Sequence, residues 1–151
     1  MSKLSVKGIL LGGIADVVAT NILAIPIVAY VATKIDLAHT PKEQMQAAIL
    51  AVMHANPLLF AAQIAVGVGC SILGGYLGAR LAKHDELVNG TLSSWLCVGI
   101  GVYAMASGKA QDSVFMQLAD FIAAPAAGLL GGYLRFKQVR GAAPVGPSRA
   151  E

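Results

Sequence analysis

Charge is scarce in this sequence. Aspartate, glutamate, lysine and arginine together make up 13% of its 151 residues, roughly half the share of a water-soluble domain. With 56% hydrophobic residues and a mean hydropathy of +0.68, the chain has too little polar surface to cover a soluble core. Its length suits one compact unit, and the composition makes that unit an integral membrane bundle.

Reactive side chains are scarce as well. The two cysteines, Cys70 and Cys97, lie inside apolar runs and lack the spacing of redox, zinc or haem motifs. His39, His54 and His84 fall between those runs, and no two share a helix face at metal-binding distance. There is no HExxH, no Ser-His-Asp set and no loop to cradle phosphate; Gly67-x-Gly69 is embedded in apolar sequence. The expectation is a protein without enzymatic activity, bound metal or cofactor. A formal charge of +3 is too small and too dispersed for a nucleic-acid surface.

What the chain does have is long apolar stretches. A spanning helix needs about 20 mostly apolar residues, and four segments qualify: 8–33, 57–80, 87–106 and 114–136. The fourth is the least uniform, since Gln117 and Asp120 lie within it. The first could pass for a signal peptide, but Asp16, Thr20 and Asn21 interrupt it and no Ala-x-Ala site follows. The fold expected is all-α, a four-helix integral membrane bundle filling residues 1–140, followed by a disordered tail over 141–151.

Eight basic residues (Lys3, Lys7, Arg80, Lys83, Arg135, Lys137, Arg140 and Arg149) then fall on one side, and three (Lys34, Lys42 and Lys109) on the other. Basic residues accumulate on the cytoplasmic side, so both termini are expected there. Tyr30 and Tyr103 fall near the outer interface, and Tyr76 and Tyr133 near the inner one. Trp95, well inside the third span, is expected to pack.

Leu-Gly-Gly-Tyr-Leu occurs twice, at 73–77 and 130–134, an offset of 57 residues. The first and third spans align more weakly at an offset near 73, which pairs Asp16 with Asn89. The layout implied is two tandem helical hairpins in parallel repeat. The first hairpin has an insertion, in which Thr40-Pro41-Lys42-Glu43 reads as a capping box. Met45, Ala48, Ile49, Val52 and Met53 then recur at helical spacing, predicting a short amphipathic helix in the first external loop.

Small residues four apart let helices approach closely in lipid. Gly12, Gly67, Gly74, Gly75, Gly78, Gly128, Gly131 and Gly132 are the candidate packing positions. Polar residues share these stripes: Asp16, Asn21, Gln63 and Asp120 are the candidate proton or substrate site. Gln63 and Asp120 are one repeat apart and are expected to face each other, or a common cavity, in the outer half. Desolvation disfavours a charged carboxylate, so Asp16 and Asp120 should be protonated, partnered or wet. Pro26 and Pro125, beside these positions, suggest a cavity or hinge.

The run Gly74-Gly75-Tyr76-Leu77-Gly78-Ala79-Arg80-Leu81-Ala82, with Glu86 and Asn89-Gly90-Thr91-Leu92, resembles small bacterial four-span proteins of unknown function. These share a GGYxxARxA…ExxNGxL corner. The resemblance implies a bacterial inner-membrane protein and no particular activity. Separately, residues 11–20 are similar to the first helix of small multidrug-resistance transporters, where a carboxylate exchanges protons for cationic drugs. This chain has Asp16 where that family has Glu, a longer first external loop, and none of the later motifs.

Two functions follow as expectations. The first is a non-catalytic membrane component, a homo-oligomer or part of a larger complex in the lipid bilayer, assembled through its glycine faces. The alternative is a small proton-coupled transporter or channel using Asp16 and possibly Asp120.

Overall fold

The structure is a computed structural model that describes residues 4–36, 39–108 and 114–141. The tail beyond Gly141 lies outside this range, as do Lys3, Lys109 and Arg149. The described residues form six helices and no strand: α1 Val6–Ala32, α2 Lys42–Ala55, α3 Pro57–Ala82, α4 Glu86–Ser93, α5 Trp95–Ala106 and α6 Val114–Gly141.

Among the described residues three segments are long and apolar enough to cross a membrane: α1, α3, and α4 with α5 taken together as Glu86–Ala106. The fourth expected span is helical but does not join them. Although α6 has 28 residues, Gln117 and Asp120 interrupt its first two turns, and Arg135, Lys137 and Arg140 occupy its end.

The helix ends follow from local chemistry. Ser5 caps α1, its hydroxyl accepting from the Gly8 N–H at 3.2 Å. The Asn56 carboxamide accepts from Leu58 and Leu59 N–H, with Pro57 at the first helical position. Lys83 ends α3 in the left-handed region at φ 60°, and Asp85 follows at φ 45°. The predicted capping box does not form. Pro41 is itself the capping residue, and the Thr40 hydroxyl instead donates to the Asp36 carbonyl at 2.6 Å. α1 and α6 continue through Pro26 and Pro125.

The third apolar segment is broken at Ser94. The Ser93 hydroxyl donates to the Gly90 carbonyl at 2.7 Å, the group an unbroken helix would offer to the Ser94 N–H. That N–H turns to Thr91 instead, at 3.3 Å, and the ladder restarts from the Ser94 carbonyl.

The interior is small and polar while the exterior is large and apolar. Fully buried side chains include Val31, Asp16, Asn89, Ser93 and Ser94, whereas Leu58, Ile122 and Val6 are among the many large apolar side chains left exposed. This suits a hydrocarbon surround. Trp95 is 55% exposed, so it lies on the outside of the bundle and is not the packing residue expected.

Glycines set the helix spacing. A methyl group on Gly12 would lie 2.6 Å from the Gly74 carbonyl and 2.8 Å from the Gly78 Cα, which fixes α1 against α3. One on Gly75 would strike the Gly128 backbone, and one on Gly131 the Ile72 carbonyl, so α3 is fixed against α6. One on Gly132 would lie 2.6 Å from the Glu86 carbonyl, and one on Gly90 2.7 Å from the Gly132 Cα, joining α6 to α4. Each Gly-Gly pair thus uses one glycine for its own hairpin and one for the sister hairpin. The order is reversed between the repeats, with Gly74 and Gly132 serving their own hairpins. Gly67 departs from expectation: nothing lies within 4 Å of its added methyl, so it packs no helix here.

Contacts run from α1 to α3, α3 to α6, α6 to α4, and α4 to α1, with α1 and α6 at opposite corners and not touching. Across the other diagonal α3 touches α4 but not α5. The four-cornered bundle is therefore closed at the end holding Ser5, Ala82 and Glu86, and parted at the other, where α2 leans on α1 and α3.

Gly75→Ala should cost about 1–3 kcal/mol, the usual range for overpacking, because its new methyl meets backbone and not a movable side chain. Gly67→Ala should be neutral or stabilising by about 0.5–1 kcal/mol. Thermal unfolding of the two purified variants in mild detergent checks both expectations.

Candidate functional site

Asp16 is 2% exposed. It faces α3 where Gly74 removes the side chain that would block it; a methyl there would sit 2.7 Å from the Asp16 Cβ. The same glycine face that packs the helices therefore buries the carboxyl.

Three neutral donors hold it. The Ser71 hydroxyl donates to Oδ2 at 2.9 Å, the Cys97 thiol to Oδ2 at 3.2 Å, and the Thr20 hydroxyl to Oδ1 at 3.4 Å. They come from α3, α5 and α1, so the carboxyl joins three helices. No lysine, arginine or histidine among the described residues pairs with it.

A cavity of about 590 Å³ opens where the helices part. Thr20, Gln63, Cys97, Gln117 and Asp120 supply its polar lining, and Ile49, Leu50 and Met53 of α2 form one wall. Gln63 and Asp120 thus share a cavity, as the 57-residue repeat implies. Asp16 does not line it, but two of its three partners, Thr20 and Cys97, do. The cavity therefore reaches the buried carboxyl through one hydroxyl and one thiol.

Asn21 does not belong to the site. It is exposed, and its amide donates to the Val17 carbonyl on its own helix at 2.8 Å, a bond that satisfies the group locally and turns it from the cavity. Asn89 differs from its repeat counterpart Asp16. It is fully buried at the closed end, where its carboxamide accepts from the Ser5 N–H at 2.8 Å and donates to the His84 and Asp85 carbonyls. It clamps the start of α1 to the start of α4.

The partners the sequence offers for the carboxyls are Asn21, Gln63, Thr20, Ser93, Ser94 and backbone; for Asp16 the structure uses Thr20 of these and adds Ser71 and Cys97. Ser71 lies one turn before Gly75 on the same stripe, a signal that was present. Cys97 reads as a small apolar residue, and nothing in its spacing reveals that α5 returns it to Asp16. No group of three or more histidine, cysteine, aspartate or glutamate side chains among the described residues is placed to hold a metal ion.

Comparison with known proteins gives no relative: no family model matches the chain, and no curated protein or solved structure is similar to it.

Ser71→Ala should cost about 1–3 kcal/mol, since it strips a donor from a buried oxygen. Cys97→Ala should cost less, because a thiol is a weak donor. Unfolding by SDS titration in mixed micelles ranks the two.

Proposed function

We propose that this chain is a four-span protein of a bacterial inner membrane, with both termini in the cytoplasm, and that it works as a small proton-coupled transporter or channel. Six basic residues of the described range, Lys7, Arg80, Lys83, Arg135, Lys137 and Arg140, flank the closed end of the bundle, which supports placing that end in the cytoplasm. α6 crosses as the fourth span, its polar residues turned to the cavity. No enzymatic role is proposed.

The observation that carries this reading is the buried Asp16 carboxyl, joined to an outer cavity by Thr20 and Cys97. Its partners suit both protonation states. Hydroxyls of Ser71 and Thr20 donate to the carboxylate and, after rotating, accept from the carboxylic acid. A proton arriving through the cavity onto an Asp16 oxygen removes one negative charge from the middle of the bundle. Two states that differ by a buried charge are what coupling needs, because a ligand shifts an equilibrium only by its preference for one state.

The assembly reading loses its original motive, since seven of the eight candidate glycines are occupied by contacts within the chain. A narrower form keeps one supporting observation. Gly67 on α3 has open space where a side chain would be, room that another helix could use.

In proteoliposomes under a pH gradient, Asp16→Asn should abolish proton-linked flux while inserting at the level of the unaltered protein. Flux that survives the substitution undiminished would overturn the reading. Native mass spectrometry of the same preparation tests assembly: a strict monomer excludes it.

A further inference from the structure

On the outside of the bundle, α4 and α6 leave a shallow groove lined by Leu87, Ala126, Leu129, Leu130 and Tyr133. Along α6 these positions recur at three- and four-residue spacing, so they share one helix face. The same spacing continues past Tyr133 to Lys137 and Arg140, both exposed. Apolar groove and basic end therefore form one stripe. From Ala126 to Tyr133 it runs about 10 Å along the helix axis, and Arg140 stands about as far again beyond Tyr133. The Arg140 guanidinium lies over the Phe136 ring at 4.2 Å, folded back one turn in the direction of the groove. Arg135 falls on a different face, the one that Gly128 and Gly131 turn to α3. Neither Lys137 nor Arg140 has an ion-pair partner among the described residues. Glu86, next to Leu87 in the chain, sets one negative charge against their two positive ones.

We propose that this stripe holds one anionic phospholipid in the leaflet at the closed end of the bundle, its phosphate on Lys137 and Arg140 and one acyl chain in the groove. The proposal rests on the reading of the chain as a membrane protein and is independent of transport. Charge complementarity selects the occupant. A guanidinium pairs with two phosphate oxygens at once, and an ammonium adds a point charge beside it. A zwitterionic lipid brings its own ammonium up to these two cations and gains less from them. Tyr133 stands between the apolar and the basic part of the stripe, at the depth where aromatic rings meet headgroups. Basic clusters at the end of a spanning helix attract anionic lipids in the same way. A helix from a second copy fits less well. Copies of one membrane protein share one orientation, so its Lys137 and Arg140 would arrive at the same level and repel these.

The test is native mass spectrometry of the full chain in mild detergent, titrated with phosphatidylglycerol and with phosphatidylethanolamine of identical acyl chains. One phosphatidylglycerol should bind roughly tenfold or more tighter than phosphatidylethanolamine. The double variant Lys137→Gln, Arg140→Gln should lose that preference while still binding phosphatidylethanolamine. The double variant Arg80→Gln, Lys83→Gln removes the same charge from the end of α3 and should keep the preference. Ala126→Trp, which fills the groove at an exposed position, should weaken both lipids with the charges intact. Equal binding of the two lipids by the unaltered protein overturns the proposal. So does a preference that falls as far in the Arg80, Lys83 variant, which would make the attraction a diffuse property of that face. Undiminished binding by Ala126→Trp overturns the groove's part in it. A homodimer that forms without lipid and is broken by Ala126→Trp assigns the stripe to a second copy and overturns it too. A chain that stays monodisperse in water without detergent would overturn the membrane reading itself, and this site with it.

Discussion

Backbone contact along α3 is the constraint on which the rest of this structure depends. In a bilayer, lipid is as apolar as a leucine side chain, so helices gain little by hiding apolar surface from it. They gain by approaching closely. α3 carries three glycines within five residues, Gly74, Gly75 and Gly78, as α6 does with Gly128, Gly131 and Gly132, and α3 uses its own to hold α1 on one side and α6 on the other. Everything at the closed end follows, including the burial of Ser93 against Gly78 and the clamp made by Asn89. Because glycine contacts are concentrated there, the helices part toward the opposite end, and the cavity is the space left over. Packing and site are thus two ends of one arrangement.

The polar residues show how far composition and periodicity reach. The all-helical class, the limits of three apolar spans and most of the glycine faces were legible, since each depends on neighbours a few residues apart; the fourth span was not, because Gln117 and Asp120 lower the apolarity of α6. The joint cavity of Gln63 and Asp120 was legible from the repeat, a relation internal to the sequence. Ser71 and Cys97 were not recognisable as partners of Asp16, because that role depends on where α3 and α5 are brought relative to α1, separations of 55 and 81 residues. Asn21 illustrates the opposite error: its amide lies inside an apolar segment, yet it bonds its own helix and not the cavity.

The likeness between the two hairpins is imperfect in a way that has physical content. In one half the first helix buries a carboxyl against the glycine face, and in the other the aligned residue is a carboxamide near a helix start. A carboxyl can change charge and a carboxamide cannot. The two hairpins share a packing solution, with a buried carboxyl, Asp16, in the first and a cavity-lining one, Asp120, in the second.

The break at Ser94 bears on the first of these carboxyls. With the Gly90 carbonyl taken by the Ser93 hydroxyl, the third apolar segment is two rods joined at a one-residue break. The lower rod, α4, is immobilised by backbone contacts with Gly128 and Gly132. The upper rod, α5, bears Cys97 three residues beyond the joint, and none of its residues is buried. Cys97 lies within one turn of that break, so the thiol that touches Asp16 takes its place from the packed α4 and not from the exposed run toward Tyr103.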